Sequence, residues 1–216
     1  MSISPIDIRR SIPSEEFDYQ TLMGLIGEYR SPRDKITRLI KDGVICPVKK
    51  GLYIFGPDYR NEPYSREVLA NLIFGPSYIS REYALSYYGL IPEKITTLTS
   101  VCTGRSRQFD TPVGRFDYRR IPIRAYPAGI RQITPDSHRN FLIATQEKAL
   151  CDFIQLQRGI GPFSISAMIE YLLENMRMDE YELKKMDWVK IRDISKLYNS
   201  RKIYMLSRAI KQLSVN

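Results

Sequence analysis

The chain is short of the residues that most site chemistry needs. Its 216 residues contain one histidine, His138, and three cysteines, Cys46, Cys102 and Cys151. The cysteines are far apart and form no C-x-x-C pair, so neither zinc nor a disulfide framework is expected, and an odd, unclustered set fits a reducing cytoplasm. The sequence has no G-x-x-x-x-G-K-[ST] loop and no H-E-x-x-H pair, which argues against a P-loop nucleotide site and a zinc-protease site. No run of about 18 apolar residues exists, so no membrane span is expected. Met1 to Asp7 lacks the cationic start and apolar run of a secretory signal, and none is expected. Internal repeats and low-complexity tracts are also missing.

These absences narrow the function. His138 sits in Pro135-Asp-Ser-His, a loop-like segment, and nothing around it resembles a nucleophile elbow. A nucleotidyltransferase needs closely spaced carboxylates to hold metal and triphosphate. Asp110 and Asp117 are too separated for that and lie among arginines. The expectation is a binding protein and not an enzyme, with no cofactor and no metal.

What is present is charge, unevenly placed. The net charge of +9 favours a polyanionic partner. Ser14 to Glu28 holds Glu15, Glu16, Asp18 and Glu28 and no cation. Arg30 to Phe55 then holds Arg30, Arg33, Lys35, Arg38, Lys41, Lys49 and Lys50 against Asp34 and Asp42. A second basic stretch carries Arg105, Arg107, Arg115, Arg119, Arg120, Arg124, Arg131 and Arg139 against Asp110, Asp117 and Asp136.

Local signals organise the first of these stretches. Asp18 caps an expected helix from Tyr19, with Phe17 and Leu22 as a staple and Gly27 at its end. Ser31 is read as the N-cap of a second helix, with Pro32 at its first position and Asp34 completing an S-x-x-D box. Ile36, Leu39 and Ile40 form its expected buried stripe, and Gly43 stops it. Val44 to Val48, Lys49-Lys50-Gly51 and Leu52 to Phe55 read as a hairpin with a basic tip. Helix, turn, helix and basic hairpin make a winged helix-turn-helix. Its second helix would present Ser31, Arg33, Lys35, Thr37, Arg38 and Lys41 to duplex DNA, while Lys49 and Lys50 of the wing meet flanking phosphates.

The expected organisation is a winged-helix domain over residues 1–58, with a turn-rich linker at Gly56 to Pro63, and a larger mixed α+β domain over 59–216 that ends in helices. In the larger part Ser65, Ser80 and Thr145 are read as helix caps. Ile95 to Val101 and Phe141 to Ala144 read as strands, and Gln108 to Tyr118 as a hairpin turning at Pro112 to Gly114. Ser164 to Leu213 is helical in pattern. Arg105, Arg107, Arg115, Arg119, Arg120 and Arg124 are candidates for a second nucleic-acid surface. Strand alternation, however, divides Arg115 and Arg119 from Arg120 and Arg124, and solvated edges with local ion pairs are the plainer alternative. Tyr78, Tyr83, Tyr87 and Tyr88 are expected in the core. Lys148 and Asp152, four apart, are expected to pair on a helix surface.

Certain segments carry a resemblance. They are Tyr78-Ile-Ser-Arg-Glu-Tyr-Ala-Leu-Ser-Tyr-Tyr-Gly-Leu-Ile-Pro92, Ile95-Thr-Thr-Leu-Thr-Ser100, Gly104-Arg-Ser-Arg107, Phe109-Asp-Thr-Pro112 and Ala144-Thr-Gln-Glu-Lys-Ala-Leu-Cys-Asp152. Together with Ser31-Pro-Arg-Asp-Lys-Ile-Thr-Arg-Leu-Ile40 and Lys49-Lys-Gly-Leu-Tyr53, they make the chain resemble the AbiEi antitoxins of type IV abortive-infection toxin–antitoxin systems, over roughly Phe17 to Arg158. The resemblance implies an autorepressor that binds double-stranded operator DNA upstream of its own operon. It also implies a C-terminal antitoxin domain that assists DNA binding, and a nucleotidyltransferase toxin countered without a stable complex. Two alternatives stand beside it: an interaction module that neutralises a toxin by direct binding, and an RNA-binding or nuclease-accessory protein.

Overall fold

The computed structural model describes residues 3–159 and 164–215. Its N-terminal part runs α1 (Pro5–Ser11), β1 (Glu16–Asp18), α2 (Tyr19–Ile26), α3 (Pro32–Lys41), β2 (Ile45–Lys49) and β3 (Leu52–Phe55). The three strands form one antiparallel sheet in the order β1-β3-β2. This is the element order of a winged helix-turn-helix, with two elements more than the sequence reading found. The signal for α1 was in the sequence: Ser4 and Asp7 close a reciprocal capping box, and Pro5 stands in the first turn. The three-residue β1 is too short for any alternation to register.

Two expected features of the N-terminal part need correction. Asp18 caps α2 through the Thr21 amide, but Ser31 makes no side-chain capping bond to α3. Pro32 and the stop at Gly43, which has φ +69°, therefore bound that helix. The buried stripe of α3 is Ile36 and Leu39 alone; Ile40 is exposed.

A 3-10 turn at Pro57–Tyr59 leads to the larger part. This comprises α4 (Arg66–Ile73), β4 (Ser77–Ile79), α5 (Arg81–Tyr87), β5 (Leu98–Cys102), β6 (Arg107–Thr111), β7 (Gly114–Arg120), β8 (Ile130–Ile133), β9 (Phe141–Ala144) and α6 (Gln146–Leu156). A helical end follows: α7 (Ile165–Glu170) with a π-helical turn at Tyr171–Asn175, then α8 (Glu180–Lys184), α9 (Trp188–Tyr198) and α10 (Arg201–Val215). The six strands form one mixed sheet, β6-β7-β5-β4-β9-β8. The pairs β5–β7 and β4–β9 are parallel and the rest antiparallel. The fold is thus α+β with a helical C-terminal part.

Two apolar clusters hold the chain. The smaller one joins Ile8, Ile12, Leu22, Ile26, Ile36, Leu39, Val44, Ile45 and Phe55. The larger one contains the six-stranded sheet and the C-terminal helices, and it also includes Val48, Leu52 and Ile54. The wing sheet is therefore covered on both faces, and one of them faces the larger unit.

Polar contacts reinforce this docking. Glu15 Oε1 accepts from the amides of Asn61 and Glu62, each at 3.0 Å, and from Arg9 at 2.9 Å. Glu16 accepts from the Ser65 amide, and burial pushes its carboxyl above the usual carboxylate range. Two buried acids beside β1 thus fasten the chain that leads into the larger unit.

In the larger part, Ser65 and Thr145 cap α4 and α6 as expected. Ser80 does not cap α5; its hydroxyl donates to Asp152 Oδ2 at 2.7 Å. The strand expected at Ile95 is β5, which starts at Leu98. Tyr87 is exposed, whereas Tyr78 is fully buried.

Candidate nucleic-acid interface

Helix α3 is anchored by Ile36 and Leu39, so its remaining positions face outward at about 100° per residue. Thr37, Lys41 and Asp34 lie opposite the anchor, with Arg33 and Arg38 to either side. All five are exposed. Arg33, Arg38 and Lys41 make no side-chain hydrogen bond or ion pair among the described residues, so these cations need not leave a partner to meet a phosphate. Thr37 donates to the Arg33 carbonyl at 3.0 Å. Exposed Ile40 adds an apolar contact to the same surface.

The structure separates other expected contacts from this face. The Lys35 ammonium turns back, donating to the Ile3 carbonyl at 3.2 Å and lying 5.6 Å from the centre of the Tyr29 ring. Ser31 is exposed beside the first turn. Lys49 is the last residue of β2, and its ammonium donates to the Ile73 carbonyl at 2.6 Å and lies 5.0 Å from the centre of the Phe109 ring. It ties the wing to the end of α4 and to β6. Lys50 alone remains at the tip, beside Gly51 at φ +79°, whose carbonyl accepts from the Tyr19 amide at 2.8 Å.

The arginines of the second basic stretch divide in a similar way. At the turn end of the β6–β7 hairpin, Arg115 pairs with Asp110 at 2.6 Å. At the other end, Arg119 reaches Asp117 at 3.1 Å, while Ser106 Oγ accepts from the Arg120 amide at 3.0 Å and brings Arg105 and Arg107 close. Arg115 and Arg119 are four strand positions, about 13 Å, apart. Arg124 lies in a 3-10 turn at Ile123–Ala125, outside β7, so strand alternation does not place it. Arg105, Arg107 and Arg120 lie at one end of the hairpin and Arg115 at the other.

The sequence reading missed two features. Lys148 and Asp152 are not a surface pair: they sit 2.9 Å apart with no exposure. Asp152 also accepts from Tyr198 at 2.6 Å, Ser80 at 2.7 Å and Tyr78 at 3.1 Å, while Lys148 donates to the Ala125 carbonyl at 2.9 Å. Burial first, and the Asp152 charge second, push both tyrosine hydroxyls far above their ordinary range. This network is enclosed in the core and holds α6 to β4 and α9. The second feature is Arg81, whose side chain reaches Asp117 at 2.7 Å.

No family model matches the chain, and no curated protein matches it. Among solved structures, the crystal structure of the RV2827C protein from Mycobacterium tuberculosis is similar to 97% of this chain and 79% of its own, with a TM-score of 0.53 and 16% identity, a likeness of fold alone.

Proposed function

We propose that this protein is a cytoplasmic duplex-DNA-binding autorepressor and the antitoxin of a type IV toxin–antitoxin operon, opposing a nucleotidyltransferase toxin without a stable complex. The observation that carries the DNA reading is the outward face of α3, where Arg33, Arg38 and Lys41 are exposed and have no side-chain partner among the described residues, within a winged-helix element order. In this reading α3 enters the major groove. Arg38 meets guanine O6 and N7, Asp34 accepts from a cytosine amino group, and Ile40 packs on a thymine methyl. Lys50 meets a flanking phosphate. The antitoxin half rests on the resemblance of the Tyr78 to Pro92 and Ala144 to Asp152 segments.

A cellular assay tests both halves. Supplied in trans, the intact chain represses a reporter driven by the DNA upstream of its own gene. It also restores growth to cells making the nucleotidyltransferase encoded beside it. An unchanged reporter refutes the repressor; unrescued growth at normal repression refutes the antitoxin.

A further inference from the structure

Behind the β6–β7 hairpin lies a cleft of about 510 Å³, lined by Arg81, Ser106, Arg119, Leu156, Gln157 and Arg158. We propose that it binds a soluble small molecule carrying two or more phosphoryl groups. Its size falls within the range of about 300–1,000 Å³ usual for small-ligand pockets.

The lining favours a phosphate over other polar groups. Three arginines from three separate segments line it, and planar guanidinium forks match phosphate oxygens in pairs. Asp117 Oδ2 accepts from Arg81 at 2.7 Å and from Arg119 at 3.1 Å, so one carboxylate orients two of the three. Glu82 steadies Arg81 from the other side at 3.1 Å. Arg81 has φ +61°, a left-handed backbone that a residue with a side chain holds only when its surroundings impose it. Its side chain is largely buried, whereas that of Arg119 is half exposed.

The other groups agree. Ser106 Oγ already accepts from the Arg120 amide, which leaves its hydroxyl hydrogen to donate. Arg158 has no side-chain partner among the described residues. The end of α6 would disfavour an anion, but the Lys202 ammonium lies on the Gln157 carbonyl at 3.1 Å and offsets it. Among the described residues Leu156 is the one apolar side chain of the lining, and the others are charged or polar.

Isothermal titration of the full chain with sodium triphosphate at low salt tests this. Saturable binding is expected. Arg119→Gln and Arg158→Gln should each weaken it at least fivefold. Arg115→Gln, at the far end of the hairpin, should leave it unchanged. Thermal melting of each variant without ligand checks folding. No saturable binding overturns the proposal, as does equal affinity in Arg119→Gln, Arg158→Gln and the parent chain. Titration with a shuffled DNA duplex present separates the two sources of phosphate. Undiminished triphosphate binding supports a soluble ligand. Displacement by the duplex overturns it and assigns the cleft to nucleic-acid backbone.

Discussion

Asp152 and Lys148 show how a pair four residues apart can lie anywhere on a helix. The spacing is the same whether the face is wet or buried, so the sequence suggested a surface pair. What buries it is distant in the chain: Tyr78, Ser80 and Tyr198 supply the hydroxyls, and the Ala125 carbonyl accepts a hydrogen bond from Lys148. An enclosed charge that loses its partner is costly, by about 3–5 kcal/mol. Lys148→Met keeps most of the volume but removes the charge together with the N–H donors to Asp152, the Ala125 carbonyl and Tyr198, leaving Asp152 with hydroxyl donors alone. Urea unfolding followed by circular dichroism should show a loss in that range. A loss below about 1 kcal/mol would mean that the Lys148–Asp152 pair does not support the core.

At the scale of elements, the wing is a fixed structure. Val48, Leu52 and Ile54 turn one face of its sheet to the larger core, and Lys49 bonds the Ile73 carbonyl. Adjacent lysines that look equivalent in sequence therefore have different tasks. Lys49→Ala should cost about 1 kcal/mol of stability, the net worth of an ordinary hydrogen bond, and leave the salt dependence of DNA binding unchanged. Lys50→Ala should do the reverse, flattening the slope of log affinity against log salt by about 1, as one phosphate contact is lost. Equal salt effects from the two variants would place both ammonium groups on DNA.

Across the whole molecule, local signals were legible and distant pairings were not. Caps at Asp18, Ser65 and Thr145 and the β6–β7 turn could be read because each involves residues a few positions apart. The strand order β6-β7-β5-β4-β9-β8 could not, because it joins β4 to β9 across some sixty residues of chain. The outward face of α3 was legible through Pro32, the stop at Gly43 and the pattern of charge, apart from Ile40, which the helical period placed inside, and Lys35, which turns back to the Ile3 carbonyl. The cleft was not legible, because Arg81, Arg119 and Arg158 come from three segments with no common motif. Resemblance marked the Ser80-Arg81-Glu82 segment without saying that it faces a cleft.

The central claim is that α3 reads sequence, and Arg38 tests it most directly. Arginine bridging guanine O6 and N7 supplies about 1–3 kcal/mol of discrimination, roughly five- to 150-fold in affinity. The measurement is fluorescence anisotropy of the parent chain and Arg38→Ala on the duplex upstream of the gene and on a shuffled duplex, across a salt series, with folding checked by circular dichroism. The account predicts that the parent prefers its own upstream duplex and that Arg38→Ala loses affinity there by that factor while changing little on the shuffled one. Equal losses on both would reduce Arg38 to a phosphate contact. A parent chain that binds the two duplexes alike, with Arg38→Ala indistinguishable from it, would contradict the account.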